Sequence, residues 1–377
     1  MSRPRISEAA ELMTRFAERT RIGSEGSKRY LWTDAFAVCN YLGLERATGD
    51  GRHRETALRL IEDVHRTLGR HRADDTRTGW LSGLSDEEAA AHPTRGGLRI
   101  GKPLAERRAD EAIDERLEWD RDGQYFHYLT KWMQALDRAA HASGQWMFDA
   151  WARELADAAH RAFVYAARDG SRRMYWKMAI DLSRPLVDSM GQHDALDGLV
   201  TAAELEASGR QVGSARDPEL AQAIADYASM MEPERLVTSD PLGLGGLLVD
   251  GFFAERLIDR GSTAMGADFV RALADAALVG FRQYVQGGEL RARADRRLAF
   301  RELGLAIGLS AVKHMRSSAP VAALARHQPV RDELESFWLR PEHRQIALWL
   351  EHQDINDVML ATCLVPEGYL GIAPRPE

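Results

Sequence analysis

Apolar residues recur along most of the chain at intervals of three and four, the spacing that places them on one face of an α-helix. Between residues 124 and 140, the large apolar side chains that follow this spacing are Tyr125, Leu129, Trp132, Met133 and Leu136. We find no run of alternating β-branched and aromatic residues bounded by Asn-Gly or Asp-Gly turns, which is the usual signal of a hairpin. The pattern therefore predicts an all-α chain of about a dozen helices with no strands.

The predicted helices are of two kinds, which alternate along the chain. Helices of the first kind carry one apolar stripe and a charged back, as expected beside solvent, and include residues 148–168, 217–231 and 267–284. Helices of the second kind are apolar on most sides and rich in Gly and Ala, as expected when neighbours cover them, and include residues 241–253, 298–312 and 355–364. The alternation predicts helical hairpins with one member in an inner ring and one in an outer ring.

Six groups of polar and aromatic residues lie just before or at the start of a proposed inner helix. They are residues 30–34, 118–120 with Tyr125 and His127, 192–194 with Asp197, 239–241, 296–297 with 301–302, and 352–354 with 356–357. If six hairpins close into a ring with parallel inner helices, the six groups meet at one mouth. The alternative is helix capping, because Asp, Ser and Thr at a helix start accept free backbone N–H groups. Capping is our interpretation of Ser239-Asp240-Pro241, but it does not explain the tryptophans and histidines elsewhere.

The helix alternation, the length and the residue types at the proposed mouth resemble the six-hairpin, (α/α)6-barrel superfamily of glycosidases and sugar epimerases. That superfamily includes unsaturated glucuronyl hydrolases and N-acylglucosamine 2-epimerases. The resemblance covers most of the chain and implies one toroidal domain over residues 1–377, with a funnel lined by aromatic and acidic side chains. It does not fix a reaction, because one fold hosts many chemistries.

Three connections are longer than a helical hairpin requires, and we assign no role to the third, residues 204–218. Residues 70–123 contain Trp80 and Trp119 near their ends, and we expect a packed lid, because loops beyond about 12 to 15 residues are usually functional or disordered. Residues 168–194 combine aromatic, basic and acidic side chains, which suits a sugar or sugar acid: aromatic faces stack on sugar rings, and charged groups bond hydroxyls or carboxylates. The alternative is a loop that its aromatic and methionine side chains anchor in the core.

The net charge and the absence of several known motifs exclude some classes of ligand and reaction. A net charge of -7 gives no basic surface for nucleic acid or for a membrane. The first twenty residues lack the apolar core of a secretory signal, and Cys39 and Cys363 fit reduced, buried thiols, so we predict a cytosolic protein. The sequence contains no P-loop, HExxH, CxxC or GxSxG. Residues 243–246 lack the last glycine of a dinucleotide fingerprint and fit close helix packing instead. We predict no metal and no cofactor.

Carboxylates and histidines remain as candidate catalytic groups. Hydrolysis of a glycosidic bond needs one protonated carboxyl as acid and a second, ionised carboxyl as base or nucleophile, about 5 to 9.5 Å apart. Asp120 and Asp194 are the leading pair, because each has aromatic or imidazole neighbours in the sequence and precedes or begins a proposed inner helix. Asp34 and Asp354 are the reserves.

Two other functions stay open. In a sugar epimerase, His193 and His352, with His127 as a third candidate, would move a proton next to a carbonyl group. In a binding scaffold without chemistry, Arg184, Arg297 and Arg301 would hold an anionic ligand. The expected ligand is a small sugar or sugar acid, and the side chains predicted to contact it are Trp32, Trp119, Tyr125, His127, Trp176, Lys177, Arg184 and Arg301.

Overall fold

In a computed structural model, residues 3–212 and 219–372 of the chain are described. The α-helices are, in chain order, α1 Arg3–Thr20, α2 Leu31–Thr48, α3 Arg52–Leu68, α4 Asp86–Ala91, α5 Glu115–Asp120, α6 Phe126–Ser143, α7 Met147–Phe163, α8 Asp194–Val212, α9 Ala221–Ser229, α10 Pro241–Asp259, α11 Ala267–Gln286, α12 Ala299–Val312, α13 Ala319–Ala325, α14 Gln328–Leu339, α15 Ala347–Glu351, α16 Gln353–Leu364 and α17 Pro366–Leu370. The strands are β1 Gln124–Tyr125, β2 Val164–Ala166, β3 Arg172–Met174, β4 Lys177–Met178 and β5 Pro185–Val187. Single turns of 3-10 helix cover Pro233–Leu236, Glu289–Arg291, Ala294–Arg296 and Pro341–Arg344.

The prediction of an all-α fold class is confirmed, but the prediction of no strands is wrong. The helix expected over residues 148–168 ends at Phe163, where the chain enters β2, and β2 pairs with β3 in an antiparallel hairpin around Asp169-Gly170. Strands β1, β4 and β5 form a three-stranded antiparallel sheet in the order β1-β4-β5, with Tyr125 opposite Lys177. Each strand has only two or three residues, which is too short for an alternating pattern to show in the sequence.

The chain divides into two compact units. The first unit comprises Met1–Ala17, Cys39–Gly51 and Glu232–Glu377, and the second unit comprises Glu18–Val38 and Arg52–Met231. Three of the six predicted groups, near residues 30, 120 and 194, belong to the second unit, and the other three belong to the first. The single domain over residues 1–377, the lid, and the meeting of all six groups at one mouth stay predictions.

In the first unit, α12 packs against α10 and α16, and the predicted inner helices are buried as expected. Twelve of the fourteen residues of α12 are buried, whereas the partner helix α11 keeps an exposed face. Helices α10 and α12 approach closely because Gly245 lies against the backbone of Gly304 and Gly308. A Cβ atom on Gly245 would overlap the Gly304 carbonyl oxygen, so close helix packing explains Gly245.

In the second unit, α6 packs against α7 and α8, and α8 packs against α9. The long connection over residues 70–123 is tied down by buried polar groups. The Asp122 carboxylate, which is fully buried, accepts hydrogen bonds from the backbone N–H groups of Gly101 and Lys102 and from Arg99 Nη1 at 2.9 Å. The Gln124 side chain bonds the backbone of Leu98 and Ile180. These hydrogen bonds fix the connection in place, together with α5, which lies within it, and β1, which follows it.

Cys39 and Cys363 are buried and are not joined in a disulfide, as predicted. Burial raises the pKa of the Cys363 thiol far above its usual range. Of the helices in residues 3–212 and 219–372, none combines the length and the apolar character needed to cross a membrane.

Candidate functional site

An aromatic cluster in the second unit collects most of the side chains that the sequence predicts to bind a ligand. We call it the aromatic cluster, and its members are Tyr30, Trp32, Trp119, Tyr125, His127, Tyr128 and Trp176. Each member lies at or next to the end of a helix or a strand. Residues 125, 127 and 128 surround the start of α6, Trp176 precedes β4, which pairs with β1, and Trp119 lies on α5. The antiparallel pairing of β1 with β4 brings Trp176 beside Tyr125 although fifty residues separate them.

The rings of the cluster touch in a continuous series. The ring centroids of Tyr125 and Trp176 are 4.9 Å apart, and those of Trp176 and Trp119 are 5.0 Å apart. The imidazole of His127 lies nearly parallel to both Tyr125 and Trp176, at interplanar angles of 23° and 12°. Exposure rises along the series, from 2% at Tyr125 to 56% at Trp119. The cluster therefore runs from the interior of the second unit to its surface.

The phenol groups give the cluster neutral hydrogen-bonding atoms. The hydroxyl groups of Tyr30 and Tyr128 form a hydrogen bond of 2.7 Å. Burial raises the pKa of all three phenols, those of Tyr30, Tyr125 and Tyr128, so each keeps its proton. The Tyr125 hydroxyl is buried and has no hydrogen-bond partner among the described residues. Because a buried unpaired hydroxyl costs about 1 to 3 kcal/mol, this atom is suited to bonding a ligand hydroxyl.

Asp194, the first residue of α8, borders the cluster through His127. Its Oδ1 lies 3.6 Å from His127 Nδ1, and its Oδ2 accepts a hydrogen bond from the backbone N–H of Gly191 at 3.2 Å. The side chain is buried, with the residue 4% exposed, and the helix N-terminus favours a negative charge at this point. Asp194 thus places a carboxylate directly beside an imidazole of the cluster.

Asp120, the other leading carboxylate, ends α5 and is exposed. It directly follows Trp119 of the cluster in the chain, and its charge adds to the larger effect of burial in raising the pKa of Tyr125. The Lys102 ammonium lies 5.8 Å from the Tyr30 ring centroid. Burial lowers the pKa of Lys102, and the charges of Asp120 and Asp122 partly oppose this shift. Asp194 therefore contacts the aromatic cluster, and Asp120 adjoins it in the chain through Trp119.

Histidine 193 lies half-buried immediately before Asp194. Asp197 lies one turn further on, at the spacing from which a carboxylate can orient the imidazole of His193. In the structure, the Asp197 carboxylate accepts a hydrogen bond from Lys131 Nζ at 3.0 Å, and its backbone N–H bonds the His193 carbonyl.

Three other predicted site residues of the second unit are engaged with the protein itself. The Lys177 side chain is fully buried and bonds Glu118 and two backbone carbonyls. Arg184 donates a hydrogen bond to the backbone carbonyl of Arg107. The buried Asp34 carboxylate accepts from the Tyr30 backbone N–H at 2.9 Å and from Arg29 at 3.4 Å. These contacts are those of framework residues, so we leave Lys177, Arg184 and Asp34 out of the group proposed to touch substrate.

The predicted site residues of the first unit form separate contacts. Asp240 caps α10 by accepting from the Gly243 backbone N–H at 2.9 Å, as predicted for residues 239–241, and it also pairs with Arg301. His352 meets the edge of the Phe300 ring at a centroid distance of 5.9 Å. Asp354 lies half-buried in the first turn of α16. These residues show no aromatic cluster comparable with that of the second unit.

Arg297 and Glu302 form a buried ion pair in the first unit. Arg297 Nη2 lies 2.7 Å from Glu302 Oε2, and the indole N–H of Trp338 donates to the same oxygen at 2.8 Å. The guanidinium also lies over the Phe337 ring, 3.9 Å from its centroid. Burial raises the pKa of Glu302 against the opposing effect of Arg297. The charge of Arg297 is thus paired with the Glu302 carboxylate inside the first unit.

The first unit also holds an open polar cleft of about 300 Å³. Charged and amide side chains of α1, of residues 341–345 and of α16 line it, among them Glu11, Arg15, Arg344, Gln353 and Asp357. Gln353 and Asp357 belong to the sixth predicted group, but none of the residues predicted individually as catalytic or ligand-binding lines this cleft. Within the described ranges, no three His, Cys, Asp or Glu side chains are grouped as ligands for a metal ion.

Comparison of the structure with solved structures gives similarities over nearly the whole chain. A sugar epimerase from a ruminal bacterium matches with a TM-score of 0.53 and 12% sequence identity, covering 95% of this chain and 98% of that protein. A cellobiose 2-epimerase from Spirochaeta thermophila matches at 0.53 and 12%, covering 90% and 86%. A family 76 α-mannanase from Bacteroides thetaiotaomicron matches at 0.55 and 8%, covering 98% and 97%. The fold is that of the six-hairpin (α/α)6 proteins.

These identities establish the fold and leave the reaction open. No protein-family model and no curated protein sequence matches the chain. The resemblance to six-hairpin proteins that the sequence suggested is confirmed as a likeness of fold, and the structural neighbours with that fold include both epimerases and a glycoside hydrolase.

Sequence reasoning missed three residues of the candidate site as ligand contacts, namely Tyr30, Tyr128 and Lys102. Tyr128 lies three residues after Tyr125, a spacing that would place both on one face of the helix expected from the apolar pattern of residues 124–140. Tyr30 lies within a group that the sequence singled out, but its contact with Tyr128 spans 98 residues of chain. Lys102 carried no sequence signal of its own.

Proposed function

We propose that the chain is a carbohydrate-active enzyme, specifically a glycoside hydrolase, and that the aromatic cluster of the second unit binds the sugar. The observation that carries this proposal is the aromatic cluster with the Asp194 carboxylate 3.6 Å from the imidazole of its His127. Asp120 directly follows Trp119 of the cluster in α5. Aromatic faces supply apolar contact for sugar rings, and the unpaired Tyr125 hydroxyl supplies a hydrogen bond.

In this proposal the two carboxylates divide the work of acid and base catalysis. Hydrolysis requires one carboxyl to donate a proton to the leaving oxygen and a second carboxyl to act as base or nucleophile. We assign the second role to Asp194, which the N-terminus of α8 and the Gly191 backbone N–H face, and the first role to Asp120. Trp176 and Trp119 bind the sugar by stacking. The substrate is a small sugar or sugar acid, and unsaturated uronides belong among the candidates.

A sugar epimerase or isomerase is the second candidate, and the contact between His127 and Asp194 favours it. A carboxylate that faces an imidazole nitrogen can orient the ring for proton transfer next to a carbonyl. His193 would be the second histidine in that case, with His352 of the first unit as the alternative from the sequence. Asp194 would act through His127 rather than on the substrate.

The product distinguishes these functions. The purified protein is incubated with aryl glycosides, unsaturated uronides and reducing sugars, and the products are analysed by mass spectrometry. A hydrolase adds one water, whereas an epimerase leaves the mass unchanged and alters the sugar configuration. Binding of a sugar or an anion in a thermal-shift screen without any turnover would contradict both enzyme proposals and favour the scaffold.

Variants of the two carboxylates test their roles. We expect Asp194→Asn to lower kcat by roughly 10²- to 10⁴-fold, the usual effect of losing a general acid or base. Its melting temperature should change by only a few degrees, because a charge at a helix N-terminus contributes about 0.3 to 1 kcal/mol. Asp188→Asn is the matched control, since Asp188 is an exposed aspartate of the same connection. Normal activity in Asp194→Asn with a large loss of stability would assign Asp194 to the framework.

A further inference from the structure

Helix α5 has an unusual distribution of buried and exposed side chains. It is six residues long, and its apolar residues Leu117 and Trp119 are 42% and 56% exposed. The residue between them, Glu118, is only 5% exposed. A charged residue is almost never buried without partners, whereas apolar residues usually are buried. The helix is therefore anchored by its carboxylate and presents its apolar side chains outward.

Two buried cations hold Glu118. The ammonium of Lys177 donates to Glu118 Oε1 at 3.0 Å, to the Glu118 carbonyl at 2.7 Å and to the Arg121 carbonyl at 2.8 Å. These bonds use all three N–H donors of the lysine. Arg107 donates from Nε to Glu118 Oε2 at 3.2 Å and from Nη2 to the Leu186 carbonyl of β5 at 2.9 Å. We call Glu118, Lys177 and Arg107 the α5 latch.

The latch connects α5 to the strands that carry the aromatic cluster. Lys177 begins β4 and lies opposite Tyr125 of β1, and its neighbour Trp176 packs against Trp119 at 5.0 Å. The side chain of Lys177 is fully buried, so it offers no free donor to a ligand. Burial lowers the pKa of its ammonium while Glu118 opposes the shift, as expected for a buried pair. Because three buried charges hold α5, its exposed Trp119 has a fixed position at the surface.

We propose that Lys177 is a positioning residue: through Glu118 it fixes α5 and so holds Trp119 against Trp176 at the exposed edge of the aromatic cluster. Lys177 acts on sugar binding through Trp119 and does not touch the sugar. The effect on sugar binding rests on the proposed function, but the effect on the geometry of the two tryptophans does not. The two statements can therefore fail separately.

The first experiment measures the geometry without any ligand. The coupled indoles of Trp119 and Trp176 contribute to the near-ultraviolet circular dichroism of the protein, and Trp119→Phe defines that contribution. We expect Lys177→Met to lose the same spectral component, and the double variant to lose nothing more. The control is Lys313→Met, because Lys313 is an exposed lysine of the first unit and should leave the spectrum unchanged. Far-ultraviolet circular dichroism and a cooperative melt show that each variant is folded.

If Lys177→Met does not fold, Glu118→Gln replaces it, because glutamine keeps the length of the side chain and removes one charge of the latch. A spectrum of folded Lys177→Met that keeps the full tryptophan component would overturn the proposal. Failure of both latch variants to fold would assign the three charges to folding alone and would overturn it equally.

The second experiment uses a sugar substrate found in the product screen. We expect Lys177→Met and Trp119→Phe to raise KM by the same factor, with kcat unchanged, and the double variant to raise it no further. Two results would show instead that Lys177 contacts the sugar. One is a double variant whose KM rises by the product of the two single factors; the other is a loss of binding in Lys177→Met with its tryptophan spectrum intact. Absence of any sugar substrate would refute the proposed function and leave the spectral result standing.

Discussion

His65 of α3 is held in its neutral form by two tryptophans, and this makes the stability of the second unit depend on pH. The indole N–H of Trp132 donates to His65 Nε2 at 3.1 Å, so this nitrogen must be an acceptor. The Trp132 and Trp151 rings meet the imidazole edge-on at centroid distances of 5.6 and 5.1 Å. The residue is 5% exposed, and burial lowers the pKa of His65 from 6.5 to about 3.

The sign of the effect follows from where each state binds the proton. Between about pH 6.5 and pH 3 the unfolded chain protonates His65 and the folded chain does not, so stability falls as the pH falls through this window. Above pH 6.5 neither state is protonated, and the residue contributes no pH dependence. With about 1.4 kcal/mol per pH unit for one proton, we expect a loss of roughly 2.5 kcal/mol between pH 7 and pH 4.5.

The assay is the free energy of unfolding in urea at a series of pH values between 4.5 and 7.5, for the wild type and for His65→Gln. Glutamine places a carbonyl oxygen near the position of Nε2, accepts from Trp132 and does not titrate. The other ionisable groups are the same in both proteins, so their difference isolates His65. Parallel pH profiles for the two proteins would refute the assignment of a neutral, accepting imidazole.

Three further predictions concern the cluster and the two buried contacts of the first unit. Trp176→Ala should raise KM for a sugar substrate more than it lowers kcat, because the indole stacks on the substrate, and an unchanged KM in steady-state kinetics would count against stacking. Arg297→Met should cost about 3 to 5 kcal/mol in urea unfolding, since it leaves its buried carboxylate partner unpaired; a loss below about 1 kcal/mol would refute this. Gly245→Ala should lower stability by about 1 to 3 kcal/mol because its Cβ meets the Gly304 carbonyl, whereas Gly246→Ala, with open space at its Cβ, should lower it not at all.

The fold was predictable from the sequence where helices are long. The inner helices expected at residues 241–253, 298–312 and 355–364 correspond to α10, α12 and α16, because an element covered on all sides must be apolar on all sides. The strands were missed for the opposite reason. The hairpin of β2 and β3 has three residues on each side of its turn, and Asp169-Gly170 within that turn was its single signal.

The candidate site was predictable in its residue types but only partly in its members. Trp119, Trp176, Tyr125 and His127 stand out because aromatic and imidazole groups are not needed at a helix start. Lys177 directly follows Trp176 in the sequence and was therefore also predicted to contact the ligand, yet its side chain is fully buried. Its direction depends on the pairing of β4 with β1, and that pairing is set by contacts between segments some fifty residues apart.

The choice between hydrolysis and epimerisation depends on Asp120 more than on Asp194. Asp194 has a place in both mechanisms, as a carboxylate that acts on the substrate or as one that orients His127. Asp120 has a role only in hydrolysis, because an epimerase that moves a proton between histidines needs no second carboxylic acid. The fold is shared by proteins of both kinds, so it does not decide between them. Hydrolysis therefore depends on Asp120, which follows Trp119 on a helix that three buried charges hold in place.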